Sequence, residues 1–229
     1  MGSRICILFT VRMSNLRSVH VAGVATALLT ATLCWAGKQF VMPPVQPAKT
    51  YAAHDEHTNE SATVAADAYD SADKARIFSV HYNEIGMLPV LLVVTNDGDQ
   101  PISLADMKAE LVTADRSKLQ PAVSDDIYRR IAHPHPSQGS AYPLPFPTKK
   151  VKGGMSGDTR EEIQNCQFAA KAVEPHSTQS GFLFFDVDGI SSPVDQAHLY
   201  ITGVHNSKGN ELMYFDVAMT NSQATPSKP

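Results

Sequence analysis

Two short stretches bring together side chains that could hold a metal ion. His54-Asp55-Glu56-His57 places two imidazoles and two carboxylates side by side, and His133-Pro134-His135 adds another imidazole pair. Neutral imidazole and carboxylate suit Zn(II), Cu(II) or Ni(II), and thioethers suit Cu(I). Met42, Met87, Met107, Met155, Met213 and Met219 could supply the latter. A metal site needs its ligands at about 2 Å, carried on elements that hold them still. Both histidine stretches fall where the sequence predicts linker and loop, so the expectation is solvated side chains with no bound metal or other cofactor. His54, His57, His133 and His135 form the alternative ligand set.

The other reactive-looking motifs have structural readings. Ser71-Ala72-Asp73-Lys74 has Ser-x-x-Lys spacing, in which a lysine can serve a nucleophilic serine. The Ser-Asp-Asn and Lys-Thr-Gly elements that accompany it in such enzymes do not occur, and the motif reads as a helix cap with a surface lysine. Asp186-Val187-Asp188-Gly189 opens like a calcium loop but lacks the acidic ligand that closes one, so a strand end and turn are expected. Cys166, beside Ala and Phe on a predicted helix, reads as a small buried side chain rather than a reactive thiol. Gly-x-Ser-x-Gly, His-Glu-x-x-His and Gly-x-x-x-x-Gly-Lys-Ser/Thr are absent from the sequence. With no paired acid and base, and no nucleophile beside a base, no enzyme is expected.

The chain that must position these residues has 229 residues, 43% of them hydrophobic and 18% charged, which fits one cored domain with appendages. A net charge of −4 supplies no general attraction for nucleic acid or anionic lipid. The basic run Lys149-Lys150-Val151-Lys152 is short and lies in a Pro/Gly-rich loop. Residues 1–36 hold Arg4, Arg12 and Arg17, no acid, and an apolar run from Val19 to Ala36. Basic, then apolar, then small is the order of a signal peptide, with cleavage expected between Ala36 and Gly37 and Met13 as an alternative start. An uncleaved membrane anchor over residues 19–36 is the rival. Either way the bulk of the chain is expected in the periplasm or outside the cell. Leu33 before Cys34 does not suit a lipid-attachment site. Cleavage would leave Cys166 as the sole cysteine, without a disulfide partner in the chain.

After this segment, residues 37–62 read as a disordered linker rich in Pro, Ala and a His/Asp/Glu cluster. Thr63–Ala66 reads as a first strand, Ala72–Arg76 as a short helix and Ile77–Tyr82 as extended chain. The strongest signal is Leu88-Pro89-Val90-Leu91-Leu92-Val93-Val94-Thr95, stopped by Asn96-Asp97-Gly98-Asp99. Pro89 suggests that this end is not paired on both sides. Pro101–Leu104 and Met107–Ala114 follow as strands, the second half-buried by its alternation. Ser124 is expected to cap a helix over Asp125–Ile131. Residues 132–157 carry prolines and glycines at a density no ladder tolerates and read as a flexible insertion. Thr159-Arg160-Glu161-Glu162 reads as the capping box of a further helix. Strands are then expected over Thr178–Asp186, His198–Val204 and Leu212–Ala218, before a polar tail at 221–229. Tyr200, Tyr214 and Phe215 are expected in the core; an exposed pair among them would mark a contact patch.

Leu88–Thr95 and Gly181–Asp186 are apolar on both faces, whereas a strand in a two-layer sandwich normally wets one. Something must cover the second face. The helix after Thr159 is the expected cover, and a partner protein is the alternative.

An apolar strand runs into Asn-Asp-Gly-Asp-x-Pro-Ile. Glu-Pro-His-Ser-x-x-x-Gly-Phe-Leu-Phe-Phe-Asp and Leu-Tyr-Ile-Thr-Gly follow. This order resembles the immunoglobulin-like domains of unknown function carried by bacterial envelope proteins and lipoproteins. The resemblance spans roughly Thr63 to Ala218 without the insertion. It implies a mainly β fold over residues 63–220: an immunoglobulin-like antiparallel β-sandwich with one or two short helices. It supplies no catalytic residues. The expectation is therefore an exported, non-enzymatic module of the cell envelope that contacts an unidentified envelope protein through a sheet face or edge. It would touch no nucleic acid, and membrane only through an uncleaved first segment. A periplasmic copper or zinc carrier is the alternative.

Overall fold

The computed structural model describes residues 40–134 and 156–219. The amino-terminal basic and apolar segment, His135, Met155, the Lys149–Lys152 run, most of the Pro/Gly-rich insertion and the polar tail lie outside the described residues.

The described chain is mainly antiparallel β, as the strand pattern predicts. One four-stranded sheet runs β1 (His54–His57), β2 (Ala62–Ala68), β3 (Met87–Asn96), β8 (Ser177–Asp186). A second runs β10 (Phe215–Ala218), β9 (His198–Thr202), β5 (Lys108–Val112), β6 (Lys118–Leu119). A small pair joins β4 (Ile102–Ser103) to β7 (Ala172–Val173). Three short α-helices stand among the described residues: α1 (Ala72–Ala75), α2 (Ser124–Ala132) and α3 (Gly157–Cys166).

The β3–β8 ladder runs from Met87 opposite Asp186 to Asn96 opposite Ser177, and every residue of β3 is buried. Period-two alternation divides its side chains between two clusters. Leu88, Val90, Leu92, Val94 and Phe185 pack with Leu111, Leu199, Ile201, Phe215 and Val217 of the second sheet. Met87, Leu91, Val93, Phe182 and Phe184 turn the other way, onto Phe78, Tyr82, Ile127, Ile163 and Cys166. The expected cover, α3, supplies Ile163 and Cys166. It shares the face with Ile127 of α2, with Phe78 and Tyr82, and with Ala48, because a helix of ten residues does not span so wide an aromatic surface. The Phe78 and Phe182 rings meet edge-on at 4.9 Å, and Tyr82 lies 4.7 Å from Phe184.

Several local expectations need correction. The stretch read as a linker contains β1, which pairs with β2 from His54 opposite Ala65 to His57 opposite Ala62. Ahead of it, Ala48 is fully buried and its N–H donates to Thr95 Oγ1 at 2.8 Å. Edge strands are often protected by charged side chains, and that composition mimics a linker. Ile77–Tyr82 is not extended: it turns into a 3-10 helix, Tyr82–Ile85, that Gly86 ends at φ 73°. The buried carboxylate of Glu162 satisfies this stretch instead of a ladder, accepting from Ser79 N at 2.7 Å and from the Tyr82 hydroxyl at 3.1 Å. Ser124 is the first helical residue of α2, not its cap, and its hydroxyl donates to Gln167 Oε1 at 2.6 Å. The cap of α3 is Ser156, whose Oγ accepts from Thr159 N at 3.1 Å. Glu162, expected to close a box with Thr159, is the buried acid just described.

Pro89 faces the side its chemistry requires. Tyr69 N donates to Pro89 O at 2.9 Å, so the missing N–H of Pro89 points the same way, beyond the last β2–β3 pair, Ala68 opposite Val90.

Candidate functional site

Among the described residues, the candidate histidines His54, His57 and His133 do not converge. His54 and His57 stand three residues apart on a strand and so occupy opposite faces of β1. His54 Nδ1 lies 2.7 Å from Tyr51 O. His57 sits between Glu60 Oε2, 2.9 Å from its Nδ1, and Asp55 Oδ2, 3.3 Å from its Nε2. Its ring stacks on Phe215 at 4.1 Å and 15°. His133 follows α2 and lines a cleft of about 470 Å³ with Asp126, Arg129, Arg130 and Asp186. Asp186 belongs to β8, the edge of the sheet opposite β1, so β1 and His133 sit at opposite ends of the strand order. Met87 is buried beneath the helices and Met213 is exposed, so these two thioethers do not share a site. Among the described residues, no group of three or more His, Cys, Asp or Glu side chains could hold a metal ion.

Ser71 caps α1, with its Oγ accepting from Lys74 N at 3.4 Å. Lys74 Nζ donates to Asp67 Oδ1 at 2.6 Å and Ala68 O at 3.2 Å, so its charge is committed away from the serine. Asp186 and Asp188 close a strand end and grip Arg130, whose side chain is 13% exposed; the Arg130–Asp188 contact is 3.1 Å. Cys166 is fully buried, and burial followed by the nearby Glu162 carboxylate pushes its thiol up to about 12. Thiolate is the reactive form. Native protein should therefore resist thiol-directed reagents at about pH 8, and denaturant should expose one reactive thiol on the described residues, measured by mass spectrometry.

The outer edge of β8 is closed by the chain itself: Ala122 N donates to Phe184 O at 2.7 Å and Phe168 N to Phe182 O at 3.0 Å. The inner face of its sheet meets the second sheet, and its other face meets the helices. The outward face of β5, β9 and β10 is different. Glu110, Tyr200 and Asp216 lie side by side in register, with Val112, His198 and Ala218 in the next such row. Tyr200 is half-buried, whereas Tyr214 is 54% and Met213 66% exposed. The Tyr200 ring stands 6.2 Å from Tyr214 and 6.1 Å from His198. Loss of water and then the Asp216 carboxylate raise the Tyr200 hydroxyl above its ordinary range, keeping it protonated as a donor.

The two acids on this face, Glu110 and Asp216, each have a side-chain partner. Glu110 accepts from Lys118 Nζ and Gln120 Nε2, each at 3.0 Å, and Asp216 Oδ1 lies 2.7 Å from His198 Nδ1. Sequence reasoning placed Tyr200 and Tyr214 in the core with Phe215. Phe215 is fully buried, and the tyrosines, on the alternate positions, form the outward pair instead. Alternation around Phe215 was the available signal, but it does not say which parity faces in.

No protein-family model matches this chain, and no curated protein matches it. A crystal structure of a conserved hypothetical protein from Bacillus anthracis is similar at 11% identity, covering 69% of this chain and 87% of that one, with a TM-score of 0.29. That score carries no argument about fold or function. Among the described residues, no helix is long and apolar enough to cross a membrane.

Proposed function

We propose that this chain is an exported, non-enzymatic β-sandwich module of the immunoglobulin-like kind that works in the bacterial cell envelope by protein contact. The contact surface is the outward face of β9 and β10, centred on Tyr200 and Tyr214 with Met213 at its border. One observation carries the reading: an aromatic pair stands on an open sheet face whose two acids are already partnered, while the other strong strands are covered on both faces. Tyrosines rich in area and carrying a polar tip dominate the energetics of many protein interfaces. With Glu110 and Asp216 already partnered, shape and apolar area are the main recognition chemistry.

A photo-crosslinker placed at Tyr214 in the full chain, expressed in its native host, tests this. It should yield one discrete protein adduct in envelope fractions, and the same crosslinker at Asp73 on α1 should not. Tyr200→Ala should weaken that complex by about 2 kcal/mol, roughly 30-fold in affinity. Native material is expected to begin at Gly37 on amino-terminal sequencing. Adducts that form equally from Asp73, or a cytosolic protein that keeps its first residues, would overturn the reading.

A further inference from the structure

The sulfur atoms among the described residues belong to Met42, Met87, Met107, Cys166, Met213 and Met219. Cys166 is fully buried, and Met87 and Met219 are 2% and 8% exposed. Met42 and Met107 are partly buried against the two apolar clusters. Of these sulfurs, that of Met213 alone belongs to a largely exposed residue. The exposure is a property of the folded chain and not of a loose loop. Leu212 is buried, and its N donates to Val204 O at 2.7 Å. Met213 N donates to Glu60 Oε1 at 3.1 Å, and Asp216 N to Asp55 Oδ2 at 2.8 Å. Fully buried Phe215 fixes the chain two residues further on. The main chain around Met213 is thus held from its own sheet and from the hairpin of the other, while the thioether stays in water.

A thioether, unlike a thiol, needs no deprotonation before an oxidant takes its electrons, so access decides which one reacts. Tyr214 follows Met213 directly and is itself exposed. An oxygen added to Met213 therefore lands at the border of the tyrosine face. Glu110 and Asp216 on that face already have partners, so apolar area carries its recognition. A sulfoxide oxygen covered there without a donor loses its hydration and gains nothing in return.

We propose that Met213 is a site of reversible oxidation by hydrogen peroxide, and that its sulfoxide weakens the contact made through Tyr200 and Tyr214. This inference rests on the contact reading of that face. In the step, a sulfur lone pair attacks one peroxide oxygen. The S–O bond forms as the O–O bond breaks, sulfur loses two electrons, and the departing oxygen takes the proton of the transferred one and leaves as water. A methionine sulfoxide reductase with a dithiol reductant reverses it, giving back the thioether, water and a disulfide.

Peroxide titration of the purified full chain, read by peptide mass mapping, tests the site. Met213 should gain one oxygen at least about tenfold faster than Met87 or Met219, and the reductase should remove it. The photo-crosslinker at Tyr214 tests the consequence in envelope fractions. Peroxide should cut the wild-type adduct at least about fivefold, and the reductase should restore it. Met213→Leu has no sulfur at this position, and its adduct should change less than about twofold from its own untreated level. The urea midpoint should not move on oxidation, and one that falls as the adduct is lost overturns the inference in favour of unfolding. Met87 or Met219 reacting as fast as Met213 overturns the site. Equal losses in wild type and Met213→Leu overturn its role. An adduct that survives with Met213 fully oxidised overturns this inference and leaves the contact reading standing, whereas an adduct absent before peroxide overturns both.

Discussion

Gly181→Ala should lower stability by about 3 kcal/mol, the upper range for forcing an extra carbon into a packed site. A Cβ at this position would lie 2.3 Å from Phe168 Cα and 2.6 Å from Phe168 N. Those are backbone atoms, so no side-chain rotation relieves the clash. The backbone that must yield is the strap that covers the β8 edge, because Phe168 N donates to Phe182 O. Urea denaturation should show a lower midpoint with little change in slope, as expected when the native state alone is strained. Gly157→Ala is the control: nothing lies within 4 Å of a Cβ there, at the start of α3, and its midpoint should hold or rise. Equal midpoints for Gly181→Ala and wild type would mean that the strap does not press on β8.

Phe184→Ala should cost about 3–5 kcal/mol, the range for truncating a buried aromatic ring. Phe184 is fully buried, 4.7 Å from the Tyr82 ring and 6.2 Å from Phe78. Its removal opens a cavity between the sheet and the helical layer, and Tyr82 cannot move in to fill it, because its hydroxyl is held by Glu162 at 3.1 Å. Leu183→Ala, one residue away and only partly buried, should cost less. Measured by the same denaturation series, a Phe184→Ala cost below about 1 kcal/mol would show that the helices rest loosely on the sheet. A cost in the expected range makes the helical layer an integral part of the folded unit.

Much of the architecture was readable because β3 and β8 announce themselves locally. Short β-branched and aromatic runs, ended by Asn, Asp, Gly and Pro, have few alternatives, and their two-faced apolar character demanded a second covering layer. The composition of that layer was less readable. Ile163 and Cys166 on α3 were within reach of sequence reasoning, but Phe78 and Tyr82 read as extended chain because the acid that holds this stretch through Ser79 N and the Tyr82 hydroxyl, Glu162, lies some eighty residues away. The His54–His57 stretch is the clearest failure. Its charges resemble those of a linker and its histidines resemble ligands, yet its structural work is done by Asp55 and His57 across the gap between the sheets. The tyrosine face was legible only as a conditional: Tyr200 and Tyr214 would mark a contact patch if exposed.

From residue order alone followed the antiparallel β character, the double-sided burial of the two strongest strands, and the absence of familiar catalytic spacings. Those depend on neighbours along the chain, where steric preference and alternation act within a few residues. Which side of β10 points outward, which edges are shielded, and what surrounds His57 were decided only by the folded molecule. Each depends on the order and facing of strands far apart in the chain, and local preference carries no record of that choice.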